Sequence, residues 1–187
     1  MAKAADSDCI RVENDLERLA CYDRDSGRAP EVTATPSAAD DWFVQTSTSA
    51  LTDEVSVMLS VFSEEAFDCS LRKAKQATMY VRCNENTTAL VVHTGCHMTS
   101  SEYNNYGDVT YRLDEQRAKT VAMSESTNNM SLGLWSGGKS IPLIKSMFGK
   151  SRMIIRMTPF GDNPITVTFN ISGLENAAVP LRKACNW

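Results

Sequence analysis

From Trp42 onward, apolar and polar residues alternate with a period of two, the pattern of half-buried β-strands. Residues 42–47 predict a first strand. In the second, Val55, Val57, Leu59 and Val61 line one face and Ser56, Met58, Ser60 and Phe62 the other. Residues 63–70 read as a polar, acidic connection. Residues 77–83 and 88–93 predict a hairpin about Asn84-Glu85-Asn86-Thr87. A further strand is expected over 108–114, with Val109, Tyr111 and Leu113 inward. Shorter strands follow over 120–123 and 130–135, joined by a polar run. The period then changes. Ser140 as N-cap, Pro142 in the first turn, an apolar face of Ile141, Ile144, Met147 and Phe148, and Gly149 as a left-handed stop predict a helix over 140–148. Alternating runs over 152–158 and 164–171 close the pattern, separated by the turn-forming Pro159-Phe160-Gly161-Asp162-Asn163. A short helix leads to Cys185 and Trp187.

About nine short strands with frequent turn signals predict a mainly β chain, an antiparallel sandwich or partly open barrel. One helix lies between strands, and short helical pieces stand at either end. The N-terminal piece, residues 1–25, is expected to be a helical hairpin. Asn14 with Glu17 forms a capping-box pattern, and Leu16, Leu19 and Ala20 supply an apolar face. On one continuous helix Cys9 and Cys21 would stand roughly 18 Å apart. A disulfide needs Cα atoms within about 7 Å, so a bridge between them requires a break near residues 12–14, where the cap signal falls. Residues 26–41 are rich in Ser, Ala, Pro and Thr without periodicity and read as a linker to a β domain over 42–187.

Composition adds a compartment. The 187 residues, 42% apolar, suit one main domain. Apolar runs stay well short of the roughly 18 residues of a membrane span. The opening Met-Ala-Lys-Ala-Ala-Asp lacks an apolar leader, so export is expected from the cysteines rather than from this start. Six cysteines at wide spacing, with no C-x-x-C, point to three disulfides in an oxidising compartment. Fifteen pairings are possible for six cysteines. If Cys83 opposes Thr88 in the hairpin, Cys96 falls near Gln76, beside the chain arriving from Cys69. That register favours Cys69–Cys96 and Cys83–Cys185, alongside Cys9–Cys21. The net charge of −4 is uneven: residues 1–70 carry 15 acidic and 5 basic side chains, residues 71–187 carry 8 and 14. The basic residues are spread along strands without interleaved aromatics, which argues against a nucleic-acid partner.

Catalytic frames are incomplete. His93 and His97 flank Cys96, a partial metal set that lacks a fourth ligand. The chain has no G-x-S-x-G, and its paired carboxylates lie in expected loops. Gly137-Gly138-Lys139 resembles a phosphate loop only superficially, without the G-x4-G-K-[ST] spacing. The reading is therefore a protein without enzymatic activity, cofactor or metal. Arg82, Arg112, Arg152 and Arg156, with Tyr80, are its candidate partner-binding face.

One series of short motifs runs nearly the whole length. It begins with Cys9 and Leu19-Ala20-Cys21-Tyr22-Asp23, then continues through Leu51-Thr52-Asp53-Glu54, Val81-Arg82-Cys83, Val109-Thr110-Tyr111-Arg112-Leu113-Asp114 and Ser126-Thr127-Asn128. It ends with Thr158-Pro159-Phe160-Gly161, residues 168–174 and Cys185-Asn186-Trp187. In this order the motifs resemble the type VI secretion-associated VasI/TagO family, periplasmic proteins also met in prophage and other mobile regions. Cys69 and Cys96 stand outside the pattern associated with that family. The resemblance implies a periplasmic or secreted accessory protein that binds another envelope protein, and supplies no catalytic residues. The alternative expectation is an inhibitor or immunity protein of a mobile element, acting on a cell-wall hydrolase or toxin.

Overall fold

A computed structural model describes Cys9, Arg18, Cys21, Tyr22 and residues 42–70, 72–100 and 105–187. The chain divides into two compact units, Met1–Thr35 and Pro36–Trp187. In the first, Cys9 and Cys21 are disulfide-bonded with Cα atoms 5.6 Å apart. The helical hairpin expected over 1–25 and the linker over 26–41 otherwise lie outside the described residues.

The second unit is an antiparallel sheet curled almost into a barrel. Its strands are β1 (Phe43–Thr48), β2 (Val55–Cys69), β3 (Arg72–Asn84), β4 (Thr87–His93), β5 (Asp108–Leu113), β6 (Lys119–Ala122), β7 (Ser124–Glu125), β8 (Ser131–Leu134), β9 (Arg152–Met157) and β10 (Ile165–Asn170). The helices are α1 (Gly137–Met147), α2 (Leu174–Ala177) and α3 (Val179–Ala184). Around the sheet the order is β6-β5-β9-β10-β2-β3-β4-β8-β7, with β1 paired to the first half of β2. The two ends of this path, β6 and β7, follow one another in the chain with only Met123 between them, which is why the sheet nearly closes.

Alternation fills the interior. Leu59 and Val61 of β2, Met79 and Val81 of β3, and Leu90 and Val92 of β4 meet Met153, Ile155 and Met157 of β9 and Val167 and Phe169 of β10 in one core. Methionines, unbranched and adaptable, fill much of this space. One end of the core is covered by α1, whose buried residues are Ser140, Leu143, Ile144 and Met147. These lie at i, i+3, i+4 and i+7, one helical face.

Two expectations are corrected. Residues 63–69 belong to β2 rather than to a connection. Ser63 is 1% exposed and its hydroxyl donates to Glu65 O at 2.7 Å while accepting from Ala77 N at 2.9 Å. Here the pairing with β3 shifts register and Ser63 pairs with Phe169 of β10. An acidic run reads as a loop, but the buried serine supports a bulge at the corner where β2 passes from one set of neighbours to the other. The second correction concerns α1. Its N-cap is Ser136, and Ser140 lies inside the helix, its hydroxyl donating to Thr88 O at 2.8 Å. Pro142 therefore sits in the interior, and Leu143 replaces Ile141 on the buried face. Two glycines in the first turn carry no helix signal, so the start was legible only from the fold. Gly149 has φ +68°, the left-handed stop expected from sequence.

The hairpin register is as the alternation implies, with Cys83 opposite Thr88 and Asn84 opposite Thr87. Glu85 and Asn86 both have positive φ, 47° and 53°, as a two-residue type I′ turn requires. Cys69 is bridged to Cys96 and Cys83 to Cys185.

Candidate functional site: an aromatic and arginine groove

The outward side chains of β2, β3, β4 and β8 form a grid set by cross-strand register. Met58 opposes Arg82, which opposes Ala89; Ser60 opposes Tyr80, which opposes Val91, which opposes Gly133; Thr78 opposes His93, which opposes Ser131. Beyond β8, Trp135 continues the row of Arg82 and Ala89. Met58, Tyr80, Arg82, Val91, His93 and Trp135, with the 125–128 turn, line an open groove of about 600 Å³.

Trp135 is fixed in this groove by two features. Its indole Nε1 donates to Ser124 O at 2.9 Å. The ring also occupies the space above Gly133. A Cβ there would stand 3.0 and 3.1 Å from ring carbons and 3.1 Å from Val91 Cγ2, so the missing side chain makes the seat. The Arg82 guanidinium lies over this ring, 5.5 Å from the centroid, within cation–π range. The far wall is built by the polar turn after β7. Ser126 Oγ donates to Asn128 Oδ1 at 2.7 Å, and Asn129 takes a left-handed φ of 55°. Glu125 turns its carboxylate to Ser100, accepting from its backbone N–H at 2.8 Å and from its hydroxyl. His93 Nδ1 lies 3.0 Å from Ser131 Oγ.

The four arginines singled out in the sequence are not gathered in one patch. Arg82 lies in the groove on β3. Arg152, Ile154 and Arg156 share one face of β9, where Ile154 opposes Arg112 of β5 and Arg156 opposes Thr110. Along the sheet, β10 and β2 separate β9 from β3. Arg152 is further occupied by Glu115, 3.2 Å away on the exposed surface. Sequence alternation shows which arginines face outward; it cannot show which strands are neighbours. Trp135 was missed as a site residue. Its signal was a glycine two positions before an aromatic at a strand end, which places both on one face.

The histidine pair does not converge on a metal. Cys96 is in a disulfide, His97 packs against Phe160 with ring centroids 5.4 Å apart, and His93 faces Ser131. Among the described residues no three His, Cys, Asp or Glu side chains form a metal cluster. Glu65, Asp162 and Tyr111 lie outside the groove and titrate away from their ordinary values for local reasons. Burial acts to raise the Glu65 carboxyl, but hydrogen bonds from the Thr168 backbone N–H, at 2.6 Å, from the Thr168 side chain and from the backbone of Glu65 together outweigh it, and the net shift is downward. Asp162 is lowered by the backbone and side-chain donors of Ser70, at 2.7 and 2.8 Å. Burial raises Tyr111.

No helix among the described residues is long and apolar enough to cross a membrane. No curated protein matches the chain significantly. Among solved structures, the crystal structure of invasion associated protein b from Bartonella henselae is similar, at 10% identity and a TM-score of 0.48, covering 80% of this chain and 96% of that one. The family described as Type VI secretion system VasI, EvfG, VC_A0118 matches residues 8–187, nearly the whole length, and the chain belongs to that family.

Proposed function

We propose that this chain is a non-enzymatic accessory protein of a type VI secretion apparatus, acting in the periplasm by binding another envelope protein through the groove of Tyr80, Arg82 and Trp135. The family supports the apparatus, and three disulfides support an oxidising compartment. The observation that carries the binding face is the groove's composition. Trp, Tyr and Arg are the residues most enriched where protein interfaces concentrate their energy, and here they converge on one open concavity. An indole fixed by its hydrogen bond to Ser124 O, with a guanidinium held over it, loses little freedom on binding, which favours recognition over a merely solvated sheet face.

Photo-crosslinking side chains placed at Met58 or Thr127, on the groove, and at Thr166, on β10, test this in cells that assemble the apparatus. The groove positions are expected to capture one envelope protein that Thr166 does not, and Trp135→Ala to lower secretion. Normal secretion by Trp135→Ala together with no groove-specific crosslink overturns the reading. Stoichiometric inhibition of a purified muramidase or amidase would favour the inhibitor reading in its place.

A further inference from the structure

Arg82 carries a charge that the groove does not neutralise. Among the described residues no carboxylate pairs with it. Glu125, the only carboxylate among the described residues of the groove, is directed to the N–H and hydroxyl of Ser100. On the face that Arg82 shares, its neighbours are Met58, Tyr80, Ala89 and Asn84, and Asn84 Oδ1 already accepts from Ser56 Oγ at 2.9 Å. Arg152 shows the contrast, held by Glu115 at 3.2 Å. The Arg82 guanidinium lies over the Trp135 ring and makes no hydrogen bond among the described residues, so its N–H groups are available to an acceptor. That geometry suits a planar, bidentate acceptor. Beside it, Met58 opposes Arg82 from β2 and Val91 opposes Tyr80 from β4, so apolar side chains flank the Tyr80–Arg82 pair on both sides.

We infer that the envelope protein bound in this groove presents a carboxylate side chain, held in a two-pronged contact by Arg82 and flanked by aliphatic side chains that pack on Met58 and on Val91. This rests on the partner-binding reading above and names the chemistry that would be recognised. Charge complementarity selects an acidic over a basic segment. The flanking apolar side chains select one with aliphatic neighbours over a free anion. The Arg82 charge makes the contact charge-assisted, so it weakens with salt.

Two blocked pentapeptides serve as probes, one with glutamate between two leucines and one with glutamine in its place. They are titrated into the full isotope-labelled chain at millimolar concentration, following the Arg82 Nε and Trp135 Nε1 signals. The glutamate peptide is expected to shift both signals and to bind about tenfold more tightly than the glutamine peptide. That preference should vanish in Arg82→Gln and shrink in high salt. Equal binding of the two peptides, a preference that survives Arg82→Gln, or no shift with either peptide overturns the assignment. So does a muramyl dipeptide that shifts the same signals more tightly than the glutamate peptide. The cellular crosslinks separate the two claims. Groove crosslinks that persist undiminished in Arg82→Gln keep the partner and remove the carboxylate, whereas absent crosslinks remove the partner itself.

Discussion

The indole nitrogen of Trp187 donates a hydrogen bond to Thr88 Oγ1 at 2.8 Å. Thr88 stands opposite Cys83, and Cys83 is bridged to Cys185, two residues before that tryptophan. The Thr88 carbonyl also accepts from Ser140 of α1. One buried threonine thus gathers the tail, the helix and the central hairpin. Trp187→Phe should destabilise the fold by about 1–2 kcal/mol, because Thr88 loses a partner while remaining 2% exposed. Adding Thr88→Val should recover much of that loss, and urea unfolding of the two variants tests the pair.

The two disulfides of the β unit differ in the length of chain they close. Cys83–Cys185 spans 102 residues and Cys69–Cys96 spans 27. On loop entropy alone, removing the longer bridge with paired alanines should cost about 1 kcal/mol more than removing the shorter. Chemical denaturation of the two double variants checks the order. A larger loss from the shorter bridge would show that corner packing at Ser63 dominates instead.

Gly133→Ala is expected to lift Trp135 out of its seat. The added methyl would press on the ring and on Val91, at about 1–3 kcal/mol if the ring cannot move. The ring's outward side is open, so the cheaper response is a displaced indole. The expected signature is a small stability change, a shifted Trp135 Nε1 resonance and weakened groove binding.

Acidification should loosen the β2 corner. Glu65 and Asp162 both have folded-state pKa values below those of the unfolded chain. Their contribution is therefore fully present above the unfolded carboxyl value of about 4 and is lost as pH falls through the folded values. Melting temperature should fall in that window. Glu65→Gln and Asp162→Asn should each start lower at neutral pH and show a shallower acid slope.

Period-two alternation made most strands legible, and the turn at Asn84–Thr87 allowed the register in which Cys83 opposes Thr88. The misses share a cause. Ser63–Cys69 is chemically a loop, and what holds it in the sheet is non-local: the hydrogen bonds of buried Ser63, pairing with β3 and β10, and the Thr168 N–H on Glu65. Gly137 and Gly138 enter a helix because Ser140 and Leu143 are wanted below them. The site was half legible: Arg82 was on the list for its outward position, but Trp135 and Gly133 acquire meaning only when β8 lies beside β4.

The Cys83–Cys185 bridge also decides how this chain would bear a load. Tension applied at its ends runs along β1, β2 and β3 to Cys83 and leaves directly through Cys185. Residues 84–184 stay slack, a concealed length of roughly 350 Å when extended. While the bridge is intact, pulling can unzip β1 and β2 but cannot draw out the strands between. Under load the chain would then yield at β1 and β2 first, keeping most of its core unstretched.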